Sequence, residues 1–365
     1  MRPDGSFADI PGEVRRRVAG GERVALILLD ALGLRFLHRH DDHPLLPRLQ
    51  ITPLHSQFPS TTTAHVTTIH SGLPVHEHGL YEWNVLEPEL GTIICPLRFT
   101  LAESRVLDEL EGRLDPAILL PGPTLYQSLD APAFVLQPRA IAGSTYTRLT
   151  TRGARVHPFD EPADGLRALS ELMDTVDGPA YGFLYWDAID RAGHESGPDS
   201  AAFHTAARAA LDAIADRLDD LRGVTVLVTA DHGQVAVSPD RVDHLDDLWP
   251  ELPAMLSQPR PAGSSRDVFL HVRPEHVETV LAELGARLDD GDGSGGRGRV
   301  LRAEELFDRI GPRLGARLGQ VAVLAAPGRQ VWLRSAPANE RWFRGQHGGL
   351  EAAETETYLA EVLPG

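Results

Sequence analysis

The chain has 365 residues and carries 52 acidic and 35 basic side chains, a formal net charge of −17 at pH 7. Such a charge repels a polyphosphate backbone and disfavours a nucleic-acid polymer as a partner. The sequence contains no lysine, which excludes Schiff-base chemistry, pyridoxal phosphate attachment and a lysine-containing phosphate loop. Its length fits one large α/β domain, with or without a smaller insertion.

Cys95 is the only cysteine, so the chain cannot form an internal disulfide or a zinc–thiolate cluster. A bound metal ion must therefore be held by nitrogen and oxygen ligands. The N-terminal region lacks the apolar run of a signal peptide, and no later run approaches the roughly 20 apolar residues of a membrane span. We expect a cytoplasmic protein without membrane contact, and the sequence leaves its oligomeric state open.

Three short apolar runs each lead into an aspartate. They are VALILLD ending at Asp30, YGFLYWD followed by Asp190, and VTVLVTAD ending at Asp231. Continuous apolar runs are typical of strands in a parallel sheet that is covered on both faces. Residues 200–221 have the apolar spacing of a helix. This alternation predicts a three-layer αβα sandwich with a mostly parallel central sheet and ligands beyond the carboxyl ends of the strands.

Two segments have a different pattern and are predicted to be cap or insert segments of a single domain, 1–365. Residues 85–160 are rich in proline and have no long helical pattern. Residues 240–345 combine the strand-like DVFLHVR and RQVWLR with a helical pattern at 275–286. The Gly/Asp-rich stretch at 289–299 is predicted to be a surface loop.

Oxygen and nitrogen ligands are concentrated near the predicted strand ends. Paired metal ions about 3.5 to 4 Å apart, each with three such ligands, can clamp the attacking and leaving oxygens of a displacement at phosphorus. Any single one of the 16 histidines is more commonly a surface or core residue, so the hypothesis of a dinuclear site depends on co-occurrence. The candidate ligands are Asp30, Asp190, His194, Asp231, His232 and His347.

The segment FPSTTTAHVTTIHSG, residues 58–72, resembles a helix start. Ser60 or Thr61 could cap this helix. Alternatively, a threonine hydroxyl beside a metal ion could lose its proton and act as a nucleophile. The residue pattern leaves both roles open.

The ordered motifs Asp30, FPSTT, SGLPVHEHG, DRAGHESGP, TADHG and GQHGG cover most of the chain. In this order they resemble the alkaline phosphatase superfamily and, within it, the type I phosphodiesterase/nucleotide pyrophosphatase family. The resemblance implies an alkaline phosphatase-like fold and a dinuclear metal site. It also implies that Thr62, nine residues before Ser71, is the nucleophile, with Thr61 as the alternative.

The resemblance further implies a ligand set for each metal. One zinc ion would be held by Asp190, His194 and His347, and the other by Asp30, Asp231, His232 and the Thr62 oxygen. Manganese or iron could replace zinc, since all three accept these ligands. Asn84 would hydrogen-bond a non-bridging phosphoryl oxygen, although its spacing from the motif differs by one residue from the family pattern.

The implied activity is hydrolysis of phosphodiester or phosphoric anhydride bonds in a small phosphorylated substrate such as a nucleotide. A phosphomonoesterase or phosphonate hydrolase of the same superfamily, or a non-catalytic metal-dependent binding protein, is the alternative. The Phe-Pro-Asn string that follows the nucleophile in many family members is missing here, because Thr63, Ala64 and His65 follow Thr62. The residue pattern therefore does not predict the natural substrate.

Overall fold

A computed structural model of the chain describes residues 5–102, 104–289, 296–334 and 342–363. Its strands, in chain order, are β1 (Gly5–Ser6), β2 (Arg23–Leu29), β3 (Leu49–His55), β4 (Val85–Glu87), β5 (Thr92–Cys95), β6 (Thr100–Leu101), β7 (Ala133–Pro138), β8 (Arg155–Phe159), β9 (Ala180–Trp186), β10 (Thr225–Ala230), β11 (Val235–Ala236), β12 (Val242–His244), β13 (Ala262–Gly263), β14 (Asp267–Leu270), β15 (Gly298–Arg302), β16 (Val321–Ala325), β17 (Gln330–Trp332), β18 (Gly345–Gln346) and β19 (Glu356–Val362).

The helices are α1 (Ile10–Ala19), α2 (Leu34–Leu37), α3 (Thr62–Ser71), α4 (Val75–His78), α5 (Arg139–Ala142), α6 (Thr145–Thr150), α7 (Pro162–Asp174), α8 (Ala188–Ser196), α9 (Ala201–Arg217), α10 (Leu245–Leu248), α11 (Val277–Leu288), α12 (Pro312–Arg317) and α13 (Ala352–Thr355). Within the described ranges, none of these helices combines the length and apolar character needed to span a membrane.

An eight-stranded sheet lies at the centre of the fold, with the strand order β1-β3-β19-β10-β2-β9-β7-β8. β19 is antiparallel to both of its neighbours, and the other neighbouring pairs are parallel. The predicted mostly parallel sheet is therefore confirmed. The three runs that lead into aspartates are β2, β9 and β10, and these strands are adjacent, so their carboxyl ends meet at one edge of the sheet.

Apolar layers cover both faces of the sheet. On β2, Val24, Leu26 and Leu28 belong to the core that includes residues of α1 and α3. The alternate residues Ala25, Ile27 and Leu29 belong to the core that includes residues of α7 and α9. A strand buried on both faces needs apolar side chains at every position, which explains its continuous apolar run. The three-layer αβα sandwich is confirmed.

The helix predicted at 200–221 begins one residue later. The Ser200 side chain accepts a hydrogen bond from Phe203 N, which caps α9 at its N-terminus. The α-helix ends at Arg217 and continues as a 3-10 turn, Leu218–Leu221. Together, α9 and this turn cover nearly the whole predicted helix.

The segment predicted as a first cap, 85–160, differs from that prediction in its second half. β4, β5 and β6 form a separate three-stranded antiparallel sheet. β7 and β8, however, are strands of the central sheet, where β7 pairs with β9. The sequence does not predict β7 as a central strand because its apolar run is short and lies between Pro132 and Pro138. Its place in the sheet depends on pairing with β9, which is over 40 residues away in the chain.

The second predicted cap segment, 240–345, contains an antiparallel sheet with the order β13-β14-β16-β15. Val268 on β14 and Val323 on β16 pack with Val280 and Leu284 of α11 in a separate core. The helix predicted at 275–286 corresponds to α11. In the predicted loop 289–299, residues 290–295 lie outside the described residues. The antiparallel sheets of the two predicted cap segments meet where Gly263 N donates a hydrogen bond to Asn84 O at 2.8 Å.

Candidate dinuclear metal site

The predicted ligand residues converge at the carboxyl edge of the central sheet. Asp30 and Asp231 directly follow β2 and β10, which are adjacent parallel strands. Asp190 lies in the first turn of α8, the helix after β9, and His194 lies four residues later on the same helix. Residues spaced by four lie on one helix face. The fold therefore brings distant parts of the chain to one point.

His347 reaches this point through a short strand pairing. It directly follows β18, which pairs with β11 just after His232. Arg344 N donates a hydrogen bond to His194 O at 2.7 Å, so α8 also holds the segment that leads to His347. The position of His347 therefore depends on β11 and α8, which are distant from it in the sequence.

One group of ligand atoms consists of Asp190, His194 and His347, whose ligand atoms all lie within 4.8 Å of one another. His194 Nε2 is 3.2 Å from one Asp190 oxygen. His347 Nε2 is 3.7 Å from the other Asp190 oxygen. These three side chains make up the set that the family resemblance implies for one metal.

A second group adjoins the first. Asp30, Asp190 and His232 also have ligand atoms within 4.8 Å of one another. His232 Nε2 is 3.5 Å from Asp30 Oδ1 and 3.4 Å from Asp231 Oδ2. The rings of His232 and His347 stack with centroids 3.7 Å apart. All six predicted ligands thus share one site, with Asp190 close to both groups.

Each of the three histidines has its Nδ1 against a backbone carbonyl. A carbonyl oxygen only accepts hydrogen bonds, so Nδ1 carries a proton, and in the neutral imidazole the lone pair that can bind a metal is then on Nε2. Burial lowers the pKa of His232 to about 4 and the pKa of His347 well below its usual value. The contacts are His194 to Gly345 O at 2.8 Å, His232 to Gly233 O at 3.1 Å and His347 to Ser60 O at 3.0 Å.

The three aspartates perturb one another. Burial and the charges of Asp231 and Asp190 raise the pKa of Asp30. Burial and the charge of Asp190 raise the pKa of Asp231 to about 7. Burial opposes ionisation of Asp190 too, but the charge and hydrogen bond of His194 outweigh it and lower the pKa of Asp190. Acidic groups crowded in this way favour a bound cation.

Unpaired oxygens support the same conclusion. Asp30 Oδ1 and Asp231 Oδ2 are buried and have no hydrogen-bond partner among the described residues. Burying a carboxylate oxygen without a partner is costly. A divalent cation between these side chains would provide the partner and reduce their repulsion. The donor set of carboxylate oxygens and imidazole nitrogens fits two divalent metal ions.

The two candidate threonines have different surroundings. Thr62 is the first residue of α3, and its Oγ1 lies 3.2 Å from His232 Nε2. Thr61 is the N-cap of α3, where its Oγ1 accepts from Ala64 N at 3.5 Å and donates to Tyr81 O at 3.1 Å. The Thr61 hydroxyl is therefore used by the helix start, which favours Thr62 as the hydroxyl beside the ligands.

A cavity of about 330 Å³ opens onto the site, with Thr62, Asp190, His194 and His347 in its wall. Asn84 is also in the wall, where its Nδ2 donates to Gly263 O at 3.3 Å. The amide has a second hydrogen that remains available for a ligand. A phosphoryl contact by Asn84 stays a prediction. The wall also includes Trp83, Leu97, Arg98, Ala102 and Phe343.

Two residues that contact the ligands were missed by the sequence analysis. The Tyr185 hydroxyl donates to Asp30 Oδ2 at 2.5 Å. Gln234 Nε2 donates to Asp190 Oδ1 at 2.6 Å. Such bonds orient ligands and tune a bound metal. Tyr185 lies within YGFLYWD and Gln234 directly follows TADHG, but the sequence does not reveal which way their side chains point.

Comparison with known families identifies the chain's relationship. The family described as type I phosphodiesterase / nucleotide pyrophosphatase matches residues 24–350. The chain belongs to this family. The match includes every ligand residue described above, and the six motifs stated for the resemblance lie within it.

Individual relatives have low sequence identity to this chain. Ectonucleotide pyrophosphatase/phosphodiesterase family member 3 of Rattus norvegicus is 24% identical over 287 residues, 74% of this chain and 32% of the relative. The Mus musculus protein of the same name is 24% identical over 281 residues, 73% of this chain and 31% of the relative. The chain thus spans about a third of the length of these relatives.

Solved structures share the fold. Murine ectonucleotide pyrophosphatase/phosphodiesterase 5, as an inactive threonine-to-alanine variant in complex with AMP, superimposes with a TM-score of 0.67 at 17% identity, covering 94% of this chain and 88% of that one. The human protein gives a TM-score of 0.64 at 16% identity with the same coverage. The αβα architecture described above is therefore the fold of these neighbours.

Proposed function

We propose that the protein is a metal-dependent hydrolase of phosphodiester or phosphoric anhydride bonds in small molecules. The observation that carries this proposal is the position of the Thr62 hydroxyl, 3.2 Å from His232 Nε2 at two adjoining groups of metal-ligand side chains. A hydroxyl beside divalent metal ions is an activated nucleophile. Membership of the phosphodiesterase/nucleotide pyrophosphatase family supports the same reaction class.

Two metal ions fit the side chains of the site. When bound, they would lower the pKa of a coordinated hydroxyl and neutralise charge on the phosphoryl oxygens. Zinc suits the mixed imidazole and carboxylate donors, and manganese or iron could bind the same set. Asp190, His194 and His347 would hold one ion, and Asp30, Asp231, His232 and Thr62 the other.

Thr62 supplies the attacking oxygen. Thr62 Oγ1 loses its proton to solvent and bonds to phosphorus as the bond from phosphorus to the leaving oxygen breaks, and the leaving oxygen departs as an anion or takes a proton from solvent. Water then breaks the bond between phosphorus and Thr62 Oγ1, which restores the hydroxyl. Because α3 begins at Thr62, the positive end of the helix dipole stabilises the anionic phosphoryl oxygens. Asn84 would donate its free amide hydrogen to a non-bridging oxygen.

One structural neighbour supports these roles. The murine protein with bound AMP is an inactive threonine-to-alanine variant. In that protein, a threonine is tied to activity and a nucleotide is a ligand. We take both as support for a threonine nucleophile and a nucleotide-type substrate in this chain.

The cavity wall suggests an anionic substrate with a flat apolar part. Among the described wall residues, Arg98 is the one cationic side chain other than histidine. Its Nε is buried without a hydrogen-bond partner in the described part of the chain, while its Nη2 donates to Arg105 O at 2.8 Å. Trp83, at 39% exposure, and Phe343, whose ring stacks on His194 with centroids 4.3 Å apart, offer aromatic surface for a base or similar group.

The test compares bis(p-nitrophenyl) phosphate with p-nitrophenyl phosphate, for the unmodified protein and for Thr62→Ala, with metal content measured on the same samples. We expect about two metal ions per chain, faster cleavage of the diester, and a loss of turnover in Thr62→Ala by a factor of at least about 10³, since the nucleophile is removed. Full turnover in a metallated Thr62→Ala would contradict the threonine mechanism.

Thr61→Ala is the matched control. It removes the capping hydroxyl, so we expect a loss of about 1 kcal/mol in the free energy of unfolding with turnover retained. A preference for the monoester would identify a phosphomonoesterase at the same site. Bound metal without cleavage of either ester would favour a binding protein, and an absence of metal would refute the ligand set.

A further inference from the structure

The two loops that carry His232 and His347 meet at a buried ion pair outside the ligand set. Arg266 is 1% exposed and Glu354 is fully buried. Arg266 Nε donates to Glu354 Oε1 at 3.1 Å, and Nη2 donates to Oε2 at 3.2 Å. This two-bond geometry fixes the relative orientation of the guanidinium and the carboxylate.

Glu354 bonds directly to both histidine-bearing loops. Its Oε1 accepts from Gly349 N at 3.0 Å, two residues after His347. Its backbone oxygen accepts from Gly233 N at 3.1 Å, one residue after His232. A single residue therefore links the backbones of the two loops whose imidazoles belong to different ligand groups.

Arg266 ties this link to the second cap segment. Its Nη1 donates to Ala326 O at 3.0 Å and to Arg329 O at 2.8 Å. Its Nη2 also donates to Glu351 Oε1 at 2.7 Å. All three guanidinium nitrogens are thus bonded, so the side chain has one available orientation. The turn that carries it also reaches the site, because Ser264 Oγ lies 3.5 Å from His347 O.

We propose that Arg266 is a positioning residue that, through Glu354, holds the two histidine loops in the arrangement that binds metal. The proposal rests on the dinuclear metal site of the proposed function. A buried ion pair is by itself a weak source of stability, since desolvation offsets its attraction. Glu354, however, bonds to both ligand loops, where positioning affects metal binding.

The chain offers a matched control pair. Arg317 and Glu87 form a second buried ion pair at 3.0 Å, with side chains 4% and 1% exposed. It joins the end of α12 to the end of β4, within the cap segments. The two pairs are alike in burial and in residue type, but the second has one hydrogen bond where the first has two, and it lies away from the histidine loops.

The experiment compares the double variants Arg266→Met/Glu354→Leu and Arg317→Met/Glu87→Leu. Apolar replacement of both partners avoids an unpaired buried charge. Zinc affinity is measured by competition with a chromophoric chelator, and the thermal midpoint is measured on metal-free protein. We expect zinc affinity to fall about 10- to 100-fold in the first variant alone. Equal zinc affinity in both variants would overturn the proposal.

The unmodified protein separates this proposal from the metal site itself. If it binds none of zinc, manganese and iron, the proposed function fails; if it binds one of these metals and the first variant binds that metal equally well, only the role of Arg266 fails. Arg266→Lys covers the case in which the double variant does not fold, because it keeps the charge but not the forked geometry. We expect folded Arg266→Lys with zinc affinity reduced at least about tenfold, and unchanged affinity would contradict the proposal.

Discussion

Single hydrogen bonds orient the ligands of this site, and Tyr185 provides the clearest case. Its hydroxyl donates to Asp30 Oδ2, while burial, the charge of Asp30 and their hydrogen bond raise the pKa of Tyr185 above its ordinary value. The tyrosine is therefore a neutral donor at any ordinary pH. We expect Tyr185→Phe to weaken the binding of the metal ion near Asp30 by about 10- to 100-fold, measured by chelator competition.

Tyr181 on the same strand is the control for this prediction. It is fully buried, and its hydroxyl has no hydrogen-bond partner among the described residues. Removing a buried hydroxyl without a partner is neutral or stabilising. We expect Tyr181→Phe to keep metal affinity and the thermal midpoint, so equal effects of the two substitutions would refute a specific role for Tyr185.

At the scale of elements, the turn after β18 delivers His347 and depends on Gly348. Gly348 has φ +121°, a conformation that other residues rarely adopt. A Cβ there would lie 2.7 Å from Asp267 Oδ1 and 3.0 Å from Ser264 Oγ. We expect Gly348→Ala to cost about 2–4 kcal/mol in unfolding free energy and to reduce bound metal, measured by denaturant unfolding and elemental analysis.

Gly328→Ala is the control that separates backbone strain from the steric contacts of an added Cβ. Gly328 has φ +69°, and its nearest contact to an added Cβ would be Ala236 O at 3.9 Å. Strain alone should cost about 1 kcal/mol, without loss of metal. If Gly348→Ala loses no more unfolding free energy and no more bound metal than Gly328→Ala, the close packing of the turn against the second cap segment does not matter for the site.

At the scale of the whole molecule, three buried histidines predict acid sensitivity. Burial lowers the pKa of His65, His70 and His78 to about 3, against about 6.5 in an unfolded chain. Because the folded pKa is the lower one, their contribution to stability is complete above pH ~6.5 and is lost as the pH falls toward 3. Each histidine should account for about 2 kcal/mol of unfolding free energy lost by pH ~5.

His70→Gln measures one of these contributions. Its Nδ1 lies 2.7 Å from the Tyr126 hydroxyl, so the variant is expected to be less stable near neutral pH. The difference in unfolding free energy between pH ~7.5 and ~5, from urea denaturation, should be about 2 kcal/mol smaller in the variant. Parallel pH dependence in the two proteins would mean that the buried imidazole is not the acid-sensitive group.

Much of the fold could be predicted because its main elements have local signals. The continuous apolar runs of β2, β9 and β10 require a sheet covered on both faces, and an aspartate follows each of them. β7 has a similar but shorter run between prolines, and its place beside β9 depends on pairing with a distant segment. A cytoplasmic location stays a prediction from the sequence.

The sequence by itself identified the candidate ligand residues Asp30, Asp190, His194, Asp231, His232 and His347, because strand ends and ordered motifs can be recognised from local sequence. Only the tertiary structure decided which threonine hydroxyl faces them: Thr61 caps α3 and bonds to Tyr81 O, while Thr62 lies beside His232. It likewise decided which groups Tyr185 and Arg266 bond to. The direction of a side chain and the partner of a buried charge depend on contacts between distant segments, and no local pattern encodes those contacts.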